Sequence, residues 1–163
     1  ELQEKGLEDK ELEAAVKQRT ASRDQRGYPK TEMLAMSPVS FPKLVDPYDR
    51  KADLTARARS YLHANCAICH IDAGGGNAQM QLEFFTPLAK AKFVDEKPLH
   101  HKFDLPDARI IAPGHPERST LLTRLSRRGT GTGQMPQLGT SLVDQEAVEL
   151  FREWIASLKP EAK

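Results

Sequence analysis

A five-residue motif, Cys66-Ala67-Ile68-Cys69-His70, holds both cysteines of this 163-residue chain and constrains its fold more than any other feature. A disulfide framework normally uses several cysteines. A single bridge between Cys66 and Cys69 would close only a very small loop, and so would stabilise the chain little. The motif therefore indicates a chemical role for the two thiols and for the histidine that follows them.

Two possible roles of the motif have requirements that the rest of the sequence does not meet well. A thioredoxin-like redox site needs a βαβ context, and no β-pattern in this chain is convincing. A structural zinc ion needs four ligands. His100 and His101 are the candidates for the missing pair, but adjacent histidines lack the usual ligand spacing. Covalent haem attachment, by contrast, uses the C-x-x-C-H pattern itself.

Haem attachment also explains the spacing within the motif. Two thiols separated by two residues, at the end of a helix, both reach the porphyrin edge that carries the vinyl groups. The next residue then projects its imidazole onto the iron. The motif predicts one haem c, with thioether bonds to Cys66 and Cys69 and with His70 as the proximal iron ligand.

We expect Met135 to be the distal iron ligand. It lies in the segment "GQMPQLG", where glycines let the backbone approach a haem face. Its thioether would favour Fe(II) and raise the reduction potential relative to bis-histidine ligation. The remaining methionines are Met33, Met36 and Met80, and the histidines that compete for the same role are His63, His100, His101 and His115.

Apolar residues at intervals of three and four predict four helices. A short helix lies within residues 7–19, and a second begins after an N-cap at Asp53 and runs into the motif. A third covers residues 116–128. The fourth begins at a capping-box-like Ser141 and Asp144 and ends before Pro160. Residues 71–110 should be irregular, and the predicted fold class is all-α.

A proline-rich stretch divides the chain. The segment "GYPKTEMLAMSPVSFPKLVDPYD" contains four prolines, which block both helix continuation and sheet pairing. We therefore expect an N-terminal helix and connector over residues 1–50, as an irregular extension or the tail of an upstream domain. The main domain would cover residues 51–163.

Charge and hydropathy argue against two classes of protein. The formal net charge is +1, whereas domains that bind nucleic acid through bulk charge are usually strongly basic. No stretch approaches the roughly 18 consecutive apolar residues of a membrane span. The first twenty residues are charged throughout and contain no visible signal peptide, so we expect a mature or excised fragment.

The order of these features along the chain is itself informative. An amphipathic helix, the C-x-x-C-H motif, a long intervening segment, a Met-Pro loop and a terminal helix follow one another over residues 52–159. This order resembles class I cytochrome c. The stretches "RSYLHANCAICH", "IIAPGHPERSTLLTRL" and "GQMPQLG" look like bacterial monohaem domains at the C-terminus of larger secreted proteins, often behind a quinone-dependent dehydrogenase domain. The resemblance implies a class I cytochrome c fold wrapped around one haem.

The resemblance also implies specific contacts. The first and last helices would cross at close contact, with Tyr61 and Leu62 against Phe151, Trp154 and Ile155. Residues that would pack on the haem, or equally form an ordinary core, are Ile111, Pro113, Leu121, Leu125 and Leu138. A haem propionate would pair with Arg109, or alternatively with Arg118 or Arg124. The glycines 74–76 have no assigned role beyond a sharp turn.

The predicted function is electron transfer by a haem with His/Met axial ligation. An iron with both axial positions occupied by protein leaves no place for substrate, so we expect a carrier and not an enzyme. Its partners would be redox proteins or a fused dehydrogenase domain. Haem attachment takes place outside the bacterial cytoplasmic membrane, which implies a periplasmic or otherwise exported protein. The alternative is a peroxidase-like haem enzyme or a gas- or redox-sensing module with an open or labile sixth site.

Overall fold

The chain divides into two compact units, Glu1–Lys43 and Leu44–Lys163. The computed structural model describes residues 42–72 and 74–160, together with three positions in the first unit. Those three residues, Glu13, Ala14 and Lys17, are helical and exposed, as the predicted helix over residues 7–19 requires. Most of the proline-rich connector, with Met33 and Met36, lies outside the described residues.

The described part of the second unit is mostly helical and has little strand. Its helices are α1 (Leu54–Asn65), α2 (Thr120–Leu125) and α3 (Gln145–Ser157), and 3₁₀ turns cover Leu88–Lys90 and Pro116–Arg118. Two isolated bridges join Val94 to Ile111 and Arg109 to Ser119. The all-α prediction is confirmed at this level, and residues 71–110 are largely irregular, as predicted. No helix in the described ranges is long and apolar enough to cross a membrane.

Helix α1 begins at the predicted cap and ends at the cysteine motif. A side-chain oxygen of Asp53 accepts a hydrogen bond from the Ala56 amide at 2.8 Å, which satisfies one of the free N–H groups of the first turn. At the other end, the amide of Cys66 donates to the carbonyl of Leu62 at 2.9 Å. Cys66 is therefore the C-terminal cap of α1, and the position of α1 decides where the motif lies.

Helix α3 begins at Gln145, three residues later than a capping box with Ser141 as the N-cap predicts. Asp144 caps it by accepting a hydrogen bond from the Ala147 amide at 2.9 Å, and the helix ends at Ser157, ahead of Pro160. The Ser141 half of the predicted capping box takes no part in this cap. The apolar stripe of α3 is fully buried at Phe151, Trp154 and Ile155, which makes it the main core element of the unit.

The predicted contact between the first and last helices of the domain is present. The ring of Tyr61 on α1 meets the ring of Phe151 on α3 edge to face, with centroids 5.5 Å apart. The indole nitrogen of Trp154 donates to the hydroxyl of Thr55 at 3.2 Å. Aromatic pairs and a satisfied indole are typical of a specific interface. Leu62 is fully buried in the same cluster.

The predicted helix over residues 116–128 is interrupted. Ser119 is extended (φ −94°, ψ 113°) and separates a 3₁₀ turn from the short helix α2, which ends at Leu125. The cause is pairing with a neighbouring segment, because Arg109 donates from its amide to the carbonyl of Arg118 and accepts from the amide of Thr120. The buried Ser119 hydroxyl accepts from the amide of Ala112 at 2.9 Å. A local helical pattern was overridden by this pairing.

Truncation of the central indole should strongly destabilise the domain. Trp154→Ala removes a side chain with no exposed surface, so we expect a loss of about 3–5 kcal/mol in the free energy of unfolding. Urea unfolding followed by circular dichroism measures the change. Leu142→Ala is the control, because Leu142 is 81% exposed and should change stability by less than about 0.5 kcal/mol. Equal effects of the two substitutions would contradict the described core.

The stability of the domain should depend on Tyr61 at alkaline pH. Burial, and then the charge of Asp144, raise the pKa of this phenol above its ordinary value. The stabilisation by the neutral phenol is therefore complete below about pH 10, the unfolded pKa, and is lost as the pH rises through the higher folded pKa. Compared with wild type, Tyr61→Phe should lose less stability above about pH 10, as measured by urea unfolding across that range. A stability difference that does not change with pH would refute this.

Candidate haem-attachment site

The cysteine motif forms one compact turn at the end of α1. The amides of Cys69 and His70 both donate to the carbonyl of Cys66, at 3.1 and 3.0 Å. The turn buries Ala67, whereas Ile68 is 82% exposed. Both thiols and the imidazole therefore belong to one short rigid segment with a buried side and an exposed side.

The two thiols are free and differ in environment. Cys66 is partly buried and packs against the hydrophobic core, whereas Cys69 is exposed. Burial, and then the neighbouring Cys69, raise the pKa of the Cys66 thiol to about 12. Reactive cysteines of redox sites have a lowered pKa, which keeps them as thiolates. Cys66 has the opposite property, which argues against a thioredoxin-like site.

The described residues do not assemble a zinc site around the motif. Within 42–72 and 74–160, no group of three or more His, Cys, Asp or Glu side chains is placed to hold a metal ion. His100 and His101, the candidates for the missing zinc ligands, line an open cleft of about 810 Å³ together with Lys102 and Arg127. Neither cysteine lines this cleft.

The imidazole of His70 is half-buried, and its surroundings lower its pKa. Burial lowers the pKa of His70, the backbone of Ala78 acts against that effect, and the positive charge of Arg124 lowers the pKa further. Its Nδ1 is buried and makes no hydrogen bond of ordinary geometry. A lowered pKa favours the neutral imidazole, which is the form that binds metal.

The loop that carries Met135 is joined to the end of α2. The amide of Met135 donates to the carbonyl of Arg124 at 3.2 Å, and the guanidinium of Arg124 donates to the carbonyl of Gly133 at 2.8 Å. The same guanidinium influences the pKa of His70. Arg124 therefore bonds to the loop of one predicted axial ligand through its carbonyl and its guanidinium, and its positive charge lowers the pKa of the other.

Two polar side chains hold the loop around Met135 in shape. Gln134 accepts from the Gly129 amide at 2.7 Å and donates to the carbonyls of Pro136 and Thr140 at 3.1 and 3.4 Å. Arg128 donates to the Thr140 hydroxyl and to the carbonyl of Leu142, at 3.1 and 3.0 Å. Neither role was predicted from the sequence, because a single glutamine or arginine beside a glycine-rich segment carries no spacing signal.

The histidines that competed with Met135 have other surroundings. His63 on α1 accepts a hydrogen bond from the amide of Phe84 at 3.2 Å. His115 is exposed and lies 3.0 Å from a carboxylate oxygen of Glu117. His100 and His101 line the open cleft. Met80, the other methionine within the described residues, packs against the core.

Most of the predicted haem-packing residues are buried, and one is not. Ile111, Leu121 and Leu125 belong to the hydrophobic core cluster, and Pro113 is also buried. Leu138 is 87% exposed, so the structure does not bring it to this cluster. Contact of the buried four with a haem stays a prediction, since each of them already has protein neighbours.

The three arginines that could pair with a haem propionate differ in whether they already form ion pairs with carboxylates. Arg109 lies 3.1 Å from Asp95 and 2.9 Å from Asp107, and Arg118 also pairs with Asp107. Arg124 has no carboxylate partner within the described residues. Its guanidinium stands 5.0 Å from the centroid of the Phe103 ring in a cation–π arrangement. Burial lowers the pKa of Arg124.

Loss of the Gln134 side chain should loosen the loop that presents Met135. Gln134→Ala removes hydrogen bonds that are each worth about 0.5–1.5 kcal/mol, so amide hydrogen exchange over residues 129–140 should quicken by roughly tenfold or more. Mass spectrometry of peptic fragments measures it. Gln137→Ala is the matched control, because the exposed Gln137 contributes only its backbone carbonyl to this network. If both variants exchange like wild type, Gln134 does not hold the loop.

Comparison with protein-family models, with curated proteins and with solved structures finds no match to this chain. What the domain does must therefore be inferred from its own side chains. The candidate groups are a pair of free thiols, an imidazole in the same turn, and a methionine in a loop that is hydrogen-bonded to the end of α2.

Proposed function

We propose that the second unit is a class I cytochrome c domain that binds one haem c covalently and transfers electrons. The observation that carries the proposal is the C-x-x-C-H turn at the end of α1. There, two free thiols and a half-buried imidazole belong to one short turn. The raised pKa of Cys66 argues against a thioredoxin-like thiolate, and the C-x-x-C-H spacing itself supports attachment.

The side chains fit the group in the following roles. Cys66 and Cys69 would hold it through thioether bonds, and His70 and Met135 would be the axial ligands of its iron. The haem would supply a one-electron Fe(III)/Fe(II) couple, while the chain supplies ligands, burial and orientation. With both axial ligands from the protein, the domain is a carrier and not an enzyme.

The surroundings of the ligands match the needs of such a carrier. Arg128 and Gln134 brace the Met135 loop from within. A braced loop keeps a weak thioether ligand near the iron, because the backbone does not have to be ordered when the bond forms. Arg124, whose charge no carboxylate in the described residues neutralises, is a better propionate partner than the doubly paired Arg109.

The exposed side of the motif suggests where electrons would enter and leave. Ile68 and Cys69 lie on the surface, so the attached edge of the haem would be accessible to a docking protein. Transient redox complexes bury little surface and use such accessible edges. The partners would be separate redox proteins or a dehydrogenase domain in the same polypeptide. Attachment of the haem would require export to the periplasm or an equivalent compartment.

Replacement of Met135 tests the proposed ligation directly. The oxidised holoprotein should show the methionine–iron charge-transfer band, and the reduced protein should not bind carbon monoxide. Met135→Ala should abolish the band and open the iron to carbon monoxide, because it removes the sixth ligand. Both properties are read from the absorption spectrum.

Met80→Ala is the matched control for this experiment. Met80 is also a partly buried methionine, but it packs against the core, so its replacement should leave the band intact. Persistence of the band in Met135→Ala would mean that another residue ligates the iron. Rapid carbon monoxide binding by the wild type would instead favour a peroxidase-like enzyme or a sensor.

A further inference from the structure

The glycine run 74–76 contains a residue that has no room for a side chain. A Cβ built on Gly76 would lie 2.7 Å from Nδ1 and 2.8 Å from Cε1 of His70, and 2.8 Å from the carbonyl oxygen of Cys69. A real Cβ does not approach other heavy atoms this closely. Gly76 does not have a positive φ, so its requirement for glycine comes from space and not from backbone conformation.

Hydrogen bonds hold this loop against the motif. The amide of Gly76 donates to the carbonyl of Cys69, and the amide of Leu82 donates to the carbonyl of His70, both at 2.9 Å. The backbone at Gly76 therefore packs against the Nδ1–Cε1 edge of the imidazole and leaves no space for a Cβ. Rotation of the ring alone would not make room for a methyl group, because the carbonyl of Cys69 is equally close.

The two neighbouring glycines differ from Gly76 in what surrounds them. A Cβ on Gly75 would meet nothing within 4 Å. A Cβ on Gly74 would clash with backbone atoms of Cys69 and Ile71, and its nearest neighbours include no imidazole atom. Three adjacent glycines thus provide an open position, a position limited by backbone and a position limited by the imidazole.

We propose that Gly76 is a positioning residue for His70: its backbone packs against one edge of the imidazole and sets the orientation in which the ring meets the iron. The inference rests on the proposed function, since it concerns the proximal ligand of the same haem. Enclosure of Nδ1 leaves Nε2 as the nitrogen for the metal. Groups that orient a ligating histidine tune the metal site without touching the metal.

The three glycines supply a matched set of variants for the test. Gly74→Ala, Gly75→Ala and Gly76→Ala are each produced as holoprotein, and the electron paramagnetic resonance spectrum of the oxidised low-spin haem is recorded. Its g values depend on the orientation of the axial ligands. Unfolding in urea and the yield of covalently loaded protein are measured in parallel.

We expect the g values to shift in Gly76→Ala and to match those of wild type in Gly75→Ala and Gly74→Ala. Gly74→Ala should nevertheless lose stability, because it strains the same loop through the backbone. If Gly76→Ala fails to acquire haem while Gly74→Ala acquires it, the positioning role is also supported, because both variants crowd the Cys69 carbonyl but only Gly76→Ala crowds the imidazole.

Two results would overturn the inference. In the first, Gly76→Ala has the g values and haem yield of Gly75→Ala. In the second, Gly74→Ala and Gly76→Ala change in the same way, which would show that the glycines serve only the backbone of the loop. A wild-type protein without a low-spin, methionine-ligated haem would refute the proposed function itself, and that result is distinct from either of these.

Discussion

The contact between α1 and α3 is the interaction on which the rest of the domain depends. The ring of Tyr61 packs edge to face on Phe151, and Trp154 bonds to Thr55 near the start of α1. Because α1 is fixed along this interface, its C-terminal end is fixed as well, and Cys66 is the residue that caps it. The position of the thiols and the imidazole is therefore set by an aromatic core that does not itself take part in their chemistry.

The site also depends on how closely other segments approach this turn. The loop after the motif reaches the imidazole only because Gly76 has no side chain. The Met135 loop is tied to α2 through the carbonyl of Arg124 and is braced internally by Gln134. Hydrogen bonds hold each of these loops, so each proposed ligand is positioned separately by main chain and by a few polar side chains, in a region where regular structure is sparse.

Local signals in the sequence predicted local structure well and distant pairing poorly. Asp53 was identified as a helix cap, because a cap bonds to an amide three residues along the chain. The start of α3 was predicted three residues too early, at Ser141, whereas its cap is Asp144. The helix over residues 116–128 was interrupted because Ser119 joins a bridge to Arg109, and no helical periodicity reports such a partner. Arg109 pairs with Asp95 and Asp107, and this pairing depends on the folding of residues 93–111, which no local pattern describes; its pairing with a propionate stays a prediction.

The sequence by itself determined α1 with its cap at Asp53, the apolar stripe of the last helix and the candidate chemistry of the C-x-x-C-H motif, because each depends on residues a few positions apart. Only the tertiary structure decided that Gly76 abuts His70, that Arg124 bonds to the Met135 loop, and that Leu138 is exposed. Such relations join residues distant in the chain or depend on distances of a few tenths of an ångström. Composition and periodicity cannot predict such contacts, because they describe neighbours along the chain and not neighbours in space.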